Sequence, residues 1–326
     1  MKPKASRRKA PNPKITNVEL RGLRTEKINS ASADLDRKSA LEIARIINAE
    51  DAKVAGAVKR ALRPIAQAID LIAAALAQSG RLIYVGTGTS GRIAALDAAE
   101  CPPTFNTNPK MVQFIIAGGS KALAEAVEAS EDSLKLGRQA MTKKKPRSND
   151  VVVGVAASGR TPFTIAAIEY ARSQRAKTVA VACNRNSPLE AAAHIGIVAE
   201  VGPEVVAGST RMKAGTAQKM ILNMLTTGAM TRLGYVYGNL MVNLHLKNEK
   251  LAERGISILE KAAELDRAEA RKVLKAARNS VPVALVMAKA GVSRAHAAAA
   301  LKRSAGHVRK AIAQAQTSRN TRRPPG

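Results

Sequence analysis

RLIYVGTGTSGR, the sequence of residues 81–92, joins a short apolar run to a glycine-rich loop. The apolar run predicts a buried β-strand, and the alanine-rich sequence from Ile93 onward predicts a helix. A strand, a glycine loop and a helix in this order open a βαβ unit, in which the loop lies at the carboxyl end of the strand. The stretch predicts an α/β fold with a ligand-binding loop at residues 86–92.

The same succession recurs further along the chain. Residues 150–156 predict a second buried strand, which runs directly into the loop sequence ASGRTP at residues 157–162. The pattern also predicts strands at 112–117 and 178–182, and helices at 122–131 and 162–172. Strands that alternate with helices of this length imply a parallel sheet with right-handed crossovers. Because only 2% of the residues are aromatic, the core must consist mainly of Ala, Val, Ile and Leu, which is typical of helices packed on a parallel sheet.

The remaining segments predict helices and tails around this sheet. Apolar residues at helical spacing predict helices at 39–48, 54–77 and 293–313, and a further helix begins near Met212. We expect a three-layer, doubly wound parallel sheet with N-terminal helices and a small C-terminal all-helical domain. The expected divisions are a basic disordered tail at 1–24, a helical segment at 25–71, the sheet domain at 72–235, a helical domain at 236–315 and a second basic tail at 316–326.

The chain is strongly basic, with 53 Lys and Arg against 25 Asp and Glu and a formal net charge of +28. Basic surface attracts nucleic acid regardless of its sequence, but much of this charge lies in the two tails. Few aromatic side chains are available to stack on single strands. We expect solvated tails, with weak contact to nucleic acid or another anionic surface as the alternative.

Two features favour a cytoplasmic protein, and the first of them indicates a reducing compartment. Cys101 and Cys183 are far apart in the sequence and form no CxxC or Cys/His spacing that would bind a metal. The basic N-terminus is not followed by an apolar stretch, and no segment approaches the roughly 20 apolar residues of a membrane span. The expectation is a cytoplasmic protein without a membrane segment or a metal site.

Hydroxyl side chains accompany both glycine loops. Thr89 and Ser90 lie in the first loop, and Ser158 and Thr161 lie in the second. A helix N-terminus offers unpaired N–H groups and the positive end of the helix dipole, so hydroxyls beside it suit a phosphate monoester. Either loop alone is also consistent with a tight turn that caps its helix. Two such loops after buried strands favour phosphate binding.

Three carboxylates are candidates for acid–base chemistry. Glu100 precedes Pro102 and Pro103, which we expect to end the preceding helix and leave Glu100 at its C-terminus. Glu131 lies at another predicted helix end, and Glu204 lies in the loop sequence VGPE. Each is by default a solvated surface residue. Since none of the four histidines lies in the glycine loops, proton transfer would depend on these carboxylates.

A long, ordered series of motifs runs from about Thr25 to Leu251. It includes GTGTSGR at 86–92, AECPPTF at 99–105, IAGG at 116–119, ASGRTP at 157–162, VGPEVV at 201–206, GSTRMKAGTAQK at 208–219, GNLMV at 238–242 and NEKL at 248–251. This series closely resembles the N-acetylmuramic acid 6-phosphate etherases, which belong to the sugar isomerase (SIS) group. The resemblance implies a SIS-type fold for residues 72–235.

By this resemblance the chain would be a carbon–oxygen lyase. It would remove the D-lactyl ether from N-acetylmuramic acid 6-phosphate and give N-acetylglucosamine 6-phosphate and D-lactate. In the ring-opened sugar the C2 hydrogen lies next to an aldehyde, so one base and one acid suffice for elimination at C2 and C3. The family's two catalytic glutamates correspond to Glu100, which would protonate the departing lactate, and Glu131, which would act at C2.

The resemblance also implies the remaining site residues and partners. Phosphate contacts would come from Ser90, Ser158, Gly159 and Thr161, with Thr89 assisting, and the loop bearing Glu204, Ser209 and Lys213 would approach the sugar. Neither a metal nor an organic cofactor is expected. A homodimer with its sites near the junction is expected, since the apolar, glycine-rich region from Met212 to Met241 suits an interface.

Two further classes of protein share this architecture. One is a sugar-phosphate-sensing regulator of the glucokinase-regulator type, which binds its ligand without turnover. The other is a sugar-phosphate isomerase, which has similar loops but releases no lactate. The presence of both Glu100 and Glu131 favours the etherase.

Overall fold

The structure is a computed structural model that describes residues 22–127, 130–244, 246 and 249–320. Most of the two predicted basic tails, namely residues 1–21 and 321–326, lies outside these ranges. Within the described residues, no helix combines the length and the apolar character needed to cross a bilayer.

The central element is a five-stranded parallel sheet. Its strands are β1 Leu82–Gly86, β2 Val112–Ile116, β3 Val151–Val155, β4 Lys177–Ala182 and β5 Ile195–Val198. Their spatial order is β2-β1-β3-β4-β5, and all neighbouring pairs are parallel. In this order the chain changes direction across the sheet between β1 and β3, and ligands of doubly wound folds bind at such a switch point. The predicted fold class is confirmed.

Helices surround the sheet and continue beyond it. They are α1 Ala40–Arg60, α2 Leu62–Ala77, α3 Gly88–Phe105, α4 Leu134–Lys144, α5 Pro162–Ser173, α6 Pro188–Ala192, α7 Lys213–Arg232, α8 Glu249–Ala263, α9 Arg267–Ala276, α10 Val281–Ala290, α11 Arg294–Arg303 and α12 Val308–Asn320. A two-stranded hairpin, β6 Val236–Tyr237 and β7 Leu240–Met241, separates α7 from the last five helices.

Alternating strand residues bury the two faces of the sheet in different cores. Leu82 and Tyr84 of β1 lie in one core with apolar residues of α1, α2, α3 and α7. Ile83 and Val85 lie in the other core with residues of α4, α5 and α6. Because successive side chains of a strand point to opposite faces, a strand buried on both sides must be apolar throughout. This arrangement explains the continuous apolar run of β1.

The C-terminal helices have a hydrophobic core of their own. Its buried members run from Val242 to Ala315 and come from the segment after β7 and from helices α8 to α12. The core is built largely from Ala, Leu, Val and Ile, as the composition predicted. The structure thus contains the small all-helical unit expected after the sheet.

One expectation about α3 is wrong. The helix does not end before Pro102 and Pro103 but continues through both to Phe105, so Glu100 lies inside it. Each proline removes one backbone hydrogen bond, yet Cys101 and Phe105 are buried and hold the last turn against the core. The carbonyl of Phe105 also accepts a hydrogen bond from Asn243 Nδ2 at 3.0 Å.

The helix predicted at 122–131 is also wrong. A short 3₁₀ helix covers Gly119–Leu123, and the described residues after it up to residue 127 are not helical. The guanidinium of Arg92 donates to the carbonyls of Ala122 and Glu125, at 3.0 and 2.7 Å. These carbonyls would otherwise accept the bonds of a helix, so a side chain from α3 replaces the helical pattern.

Two other predicted helices are interrupted. The break in the N-terminal helical pair falls at Ala61, between α1 and α2, and not between residues 48 and 54. The predicted helix at 293–313 is divided into α11 and α12 by a turn that contains Gly306, whose φ is +83°. A glycine at positive φ is a common helix terminator, which the Ala-rich pattern obscured.

We predict opposite effects for alanine at two helical glycines. A Cβ added at Gly137 of α4 would lie 2.1 Å from the carbonyl oxygen of Phe163, whereas one added at Gly56 of α1 would meet nothing within 4 Å. Gly137→Ala should lower the free energy of unfolding by about 1–3 kcal/mol through overpacking. Gly56→Ala should raise it by about 0.5–1 kcal/mol through helix propensity. Equilibrium urea unfolding of both variants measures this, and an unchanged midpoint for Gly137→Ala would contradict the close packing of α4 on α5.

Candidate active site

The two glycine loops lie side by side at the switch point of the sheet. Gly86 at the end of β1 is in register with Val155 at the end of β3. Neighbouring strands are about 4.8 Å apart, so the loops that follow them share one edge of the sheet. Gly88 and Gly159 have φ values of +47° and +69°, which L-residues with a Cβ rarely adopt. The sequence-predicted phosphate loops are therefore adjacent.

The first loop presents backbone donors. Helix α3 begins at Gly88, and its first internal hydrogen bond runs from Gly91 N to Thr87 O at 2.9 Å. The N–H groups of Gly88, Thr89 and Ser90 have no partner within the helix, as is usual in a first turn. Ser90 is 8% exposed and Thr89 is half-buried. This helix end can receive an anion on its amides.

The second loop differs from the first, because the amides of Gly159 and Arg160 are already hydrogen-bonded within it. Gly159 N donates to Ala156 O at 3.0 Å, and Arg160 N donates to Ser158 Oγ at 3.1 Å. Phe163 N, in the first turn of α5, donates to Glu131 O at 3.0 Å. Thr161 precedes the helix without capping it through its side chain. The two loops thus offer different donors, which their similar sequences did not indicate.

Glu131 connects the two loops. Its carboxylate Oε2 accepts a hydrogen bond from Thr87 Oγ1 at 3.1 Å, and its carbonyl accepts the bond from Phe163 N. A Cβ placed on Gly88 would lie 3.2 Å from Glu131 Oε1. The carboxylate therefore lies directly beside the start of α3. Thr87 was not singled out from the sequence, although its position between Gly86 and Gly88 was a signal.

Glu100 is exposed and lies far from these loops within one chain. It lies twelve residues beyond Gly88 in α3. At 1.5 Å per residue this places it about 18 Å along the helix axis. A glutamate side chain cannot span that distance, so the structure brings Glu131 to the loops and does not bring Glu100 there.

A buried network fixes the part of α3 that carries Glu100. Asp97 accepts hydrogen bonds from Tyr84 on β1 at 2.8 Å and from Asn223 and Thr226 on α7 at 2.8 and 3.2 Å. Burial raises the pKa of Asp97, although these donors oppose the shift. The network sets the rotation of α3 about its axis and keeps Glu100 on the outer surface.

Glu204 and Lys213 are buried and bound to other protein groups. Glu204 is 0% exposed and accepts hydrogen bonds from the backbone N–H groups of Lys213 and Ala214, at 3.0 and 2.9 Å. Lys213 is 1% exposed, and its Nζ lies 2.5 Å from Glu50 Oε2. Glu204 caps α7, and Lys213 joins α7 to α1. Their contact with a sugar remains a prediction, and the partner Glu50 had no signal in the sequence.

The two buried glutamates titrate in opposite directions. Burial raises the pKa of Glu204 more than its two backbone hydrogen bonds lower it. For Glu50 burial also favours the neutral form, but hydrogen bonds from Lys213, Lys53 and Asn29 outweigh it and lower the pKa to about 2. Glu50 is therefore an anion that neutralises Lys213 inside the protein.

The loop bearing Ser209 lies against the N-terminal segment. Ser209 is half-buried, and its N–H donates to Val206 O at 3.0 Å. Asn29 donates to Pro203 O at 3.2 Å, and Ser32 donates to Val205 O at 2.8 Å. These bonds connect residues 29–32 to the 203–209 loop.

The structure argues against a dinucleotide as the ligand of the glycine loops. The spacing in GTGTSG is that of the dinucleotide fingerprint GxGxxG, so spacing alone does not separate the two classes of site. A dinucleotide site places a carboxylate after the second strand to bind the ribose, but β2 is followed by Ala117, Gly118 and Gly119. The strand order also differs from the Rossmann order.

Neither cysteine is suited to nucleophilic chemistry. Cys101 and Cys183 are free and buried, and burial raises the pKa of each thiol to about 12. Among the described residues, no three His, Cys, Asp or Glu side chains converge in a way that could hold a metal ion.

Comparison with known proteins first defines a class. The model of the SIS domain matches residues 136–228, and that of the glucokinase regulatory protein N-terminal SIS domain matches residues 64–172. Both ranges include part of the sheet, and together they cover both glycine loops. The chain is thus a SIS-domain protein of the α/β class.

The family follows from relatives that match nearly the whole chain. N-acetylmuramic acid 6-phosphate etherase of Edwardsiella ictaluri is 50% identical over 296 residues, which are 91% of this chain and 99% of that protein. The enzymes named N-acetylmuramic acid 6-phosphate etherase 1 of Enterococcus faecalis and N-acetylmuramic acid 6-phosphate etherase of Clostridium acetobutylicum are 47% and 45% identical over 91% of the chain, covering 99% and 98% of those proteins. The chain belongs to the N-acetylmuramic acid 6-phosphate etherase family.

Solved structures show more distant similarity. A phosphoheptose isomerase from Neisseria gonorrhoeae has a TM-score of 0.47 and 17% sequence identity. The similarity covers 59% of this chain and 100% of that chain. A phosphoheptose isomerase from Francisella tularensis has a TM-score of 0.46 and 18% identity, over 60% of this chain and 100% of that one.

We predict that Lys213→Met destabilises the protein. The substitution leaves Glu50 as a buried carboxylate with only Lys53 as its cationic partner, which should lower the free energy of unfolding by about 3 kcal/mol. The double variant Glu50→Gln with Lys213→Met should recover most of that loss, because it removes both charges. Urea unfolding at pH 7 measures both. Unchanged stability with a raised KM would instead assign Lys213 to the substrate.

The same ion pair predicts a dependence on pH. The folded pKa of Glu50, about 2, lies below its ordinary value of 4.5. Its contribution to stability is therefore complete above pH 4.5 and is lost as the pH falls toward 2. Glu50→Gln should show a smaller loss of stability over that range than the unmodified protein.

Proposed function

We propose that this chain is a lyase that cleaves the D-lactyl ether of N-acetylmuramic acid 6-phosphate and gives N-acetylglucosamine 6-phosphate and D-lactate. The observation that carries the proposal is the position of the Glu131 carboxylate, which lies beside the anion-binding first turn of α3 and is hydrogen-bonded to Thr87. Membership of the etherase family, with relatives about half identical over nine-tenths of the chain, supports it.

The phosphate is held between the two loops. The first-turn amides of α3 and the Ser90 hydroxyl bind it from one side, and the hydroxyls of Ser158 and Thr161 bind it from the other. Thr89 and Gly159 line the same edge. Fixing the phosphate places the sugar carbons at a set distance from the loops. The carbons that react are then held in place beside the catalytic groups.

Glu131 is the base at C2. In the ring-opened sugar the C2 proton is acidic because the electrons left behind pass to the neighbouring aldehyde. Glu131 removes this proton, the C3–O bond breaks, and the lactyl oxygen takes a proton from an acid. Water then adds at C3 and the proton returns to C2, so the net reaction consumes one water and releases one lactate. A proton transfer of this kind contributes about 10²–10⁴-fold in rate.

Glu100 of a second copy of the chain is the acid. Within one chain it lies about 18 Å from the start of α3, so it can act only across an interface. Exposed leucines lie on the helices that would form such an interface. Leu96, one turn before Glu100 on α3, is 55% exposed, and Leu62 on α2 is 45% exposed beside a groove between α2 and α7. Association through this face would bury these leucines and bring Glu100 to the loops of the other copy.

Replacing either glutamate should abolish lactate release. We expect Glu131→Gln and Glu100→Gln each to lower kcat by at least about 10²-fold, because each removes a proton-transfer group. D-lactate is measured after incubation with N-acetylmuramic acid 6-phosphate. Leu136→Ala, at an exposed side chain of α4, is the control and should retain activity. Full activity of either glutamine variant would refute its assignment.

Mixing the two inactive variants tests the shared site. A mixed dimer of Glu100→Gln and Glu131→Gln chains contains one site with both glutamates and one with neither. Unfolding and refolding an equal mixture should restore about a quarter of the unmodified activity, because half of the dimers are mixed and each has one intact site. If both glutamates act within one chain, the mixture remains inactive.

The regulator remains the second candidate. The match to the glucokinase regulatory protein SIS domain favours it, but that match covers residues 64–172 only. Thermal stabilisation by N-acetylglucosamine 6-phosphate without any lactate release from N-acetylmuramic acid 6-phosphate would support the regulator and refute the lyase.

A further inference from the structure

Gln218 of α7 is a buried side chain without hydrogen-bond partners. It is 1% exposed, and within the part of the chain that the structure describes neither its Nε2 nor its Oε1 has a partner. Buried amide groups in folded proteins are nearly always hydrogen-bonded, because leaving them unpaired costs free energy. A glutamine that leaves both groups unpaired needs a physical reason.

The position of Gln218 relates it to the first glycine loop. It follows Ala214 by one helical turn and lies on the face of α7 that also carries Ile221 and Leu225, all of which are fully buried in the core over the sheet. A Cβ added at Gly215 would lie 3.5 Å from Thr89 Cγ2, so the first turn of α7 contacts the first turn of α3.

The side chain extends toward the loops. Side chains of an α-helix tilt toward its N-terminus, so the carboxamide of Gln218 covers the turn of α7 that contains Ala214 and Gly215. That turn lies level with Thr89 at the carboxyl edge of the sheet. By this helix geometry we expect the carboxamide on the side of α7 that faces the loop at 86–91. With 1% exposure it does not contact a sugar directly.

We propose that Gln218 is a positioning residue whose carboxamide gains hydrogen-bond partners in the loop above it when a sugar phosphate binds. This inference rests on the proposed function for the identity of the ligand. Ligand binding draws the first turn of α3 onto the phosphate, and the unpaired amide then stabilises the bound arrangement of the loop. The unpaired groups therefore destabilise the ligand-free protein and do not destabilise the ligand-bound protein.

The test compares Gln218→Met with a control variant. Met has nearly the same volume and no unpaired N–H or C=O group. Thr107→Val is the control, since Thr107 is 7% exposed with an unpaired Oγ1 and follows the far end of α3. Without ligand we expect Gln218→Met to raise Tm by about 2–4 °C, as removal of buried unpaired groups predicts.

Bound ligand should remove the higher Tm of Gln218→Met relative to the unmodified protein. N-acetylglucosamine 6-phosphate should raise the Tm of the unmodified protein and of Thr107→Val equally, and that of Gln218→Met less. In the lactate assay kcat/KM of Gln218→Met should fall about tenfold, the loss of one hydrogen bond, while Thr107→Val keeps its activity.

Each other result overturns the inference. If Gln218→Met melts no higher than the unmodified protein without ligand, its amide is already paired. If the ligand shift and kcat/KM are unchanged, Gln218 is not coupled to the site, and the proposed function stands. If the unmodified protein releases no lactate, the proposed function fails, and the ligand shifts still decide the role of Gln218: equal shifts, or none, overturn it.

Discussion

The hydrogen bonds of Glu131 are the contacts on which the candidate site depends. Its carbonyl holds the first turn of α5, and its carboxylate accepts the hydroxyl of Thr87 at the start of α3. One residue from an irregular segment thereby joins two loops that follow neighbouring strands. Because β1 and β3 meet at the switch point of the sheet, the joined loops form one binding edge. The same contacts fix the proposed base and the proposed anion site.

A second set of contacts fixes the N-terminus of α7 beside the first glycine loop. Glu204 caps α7, and Lys213 in its first turn pairs with Glu50 of α1. The first turn of α7 in turn contacts Thr89. Charges placed in a protein interior need partners, and here three buried ionic side chains keep the N-terminus of α7 beside the loops. The same helix carries Gln218, whose buried amide has no partner among the described residues.

Much of the fold could be read from local pattern. Apolar runs that pass into glycine loops located β1 and β3, since a strand buried on both faces must be apolar throughout. Where prediction was wrong, contacts distant in sequence decided the local structure. The guanidinium of Arg92 takes the carbonyls that a helix at 122–131 would use, and buried Phe105 carries α3 through two prolines. Neither contact leaves a periodic signal near the residues it affects.

The sequence by itself determined the parallel sheet, the two loops and the family, because strand periodicity, glycine spacing and ordered motifs are local properties of the chain. Only the tertiary structure decided which donors each loop offers, since the amides of Gly159, Arg160 and Phe163 already donate to Ala156, Ser158 and Glu131. It also decided that Glu100 lies about 18 Å from the start of α3 within one chain, because the helix is continuous from Gly88 to Glu100 and carries that residue away from the sheet edge.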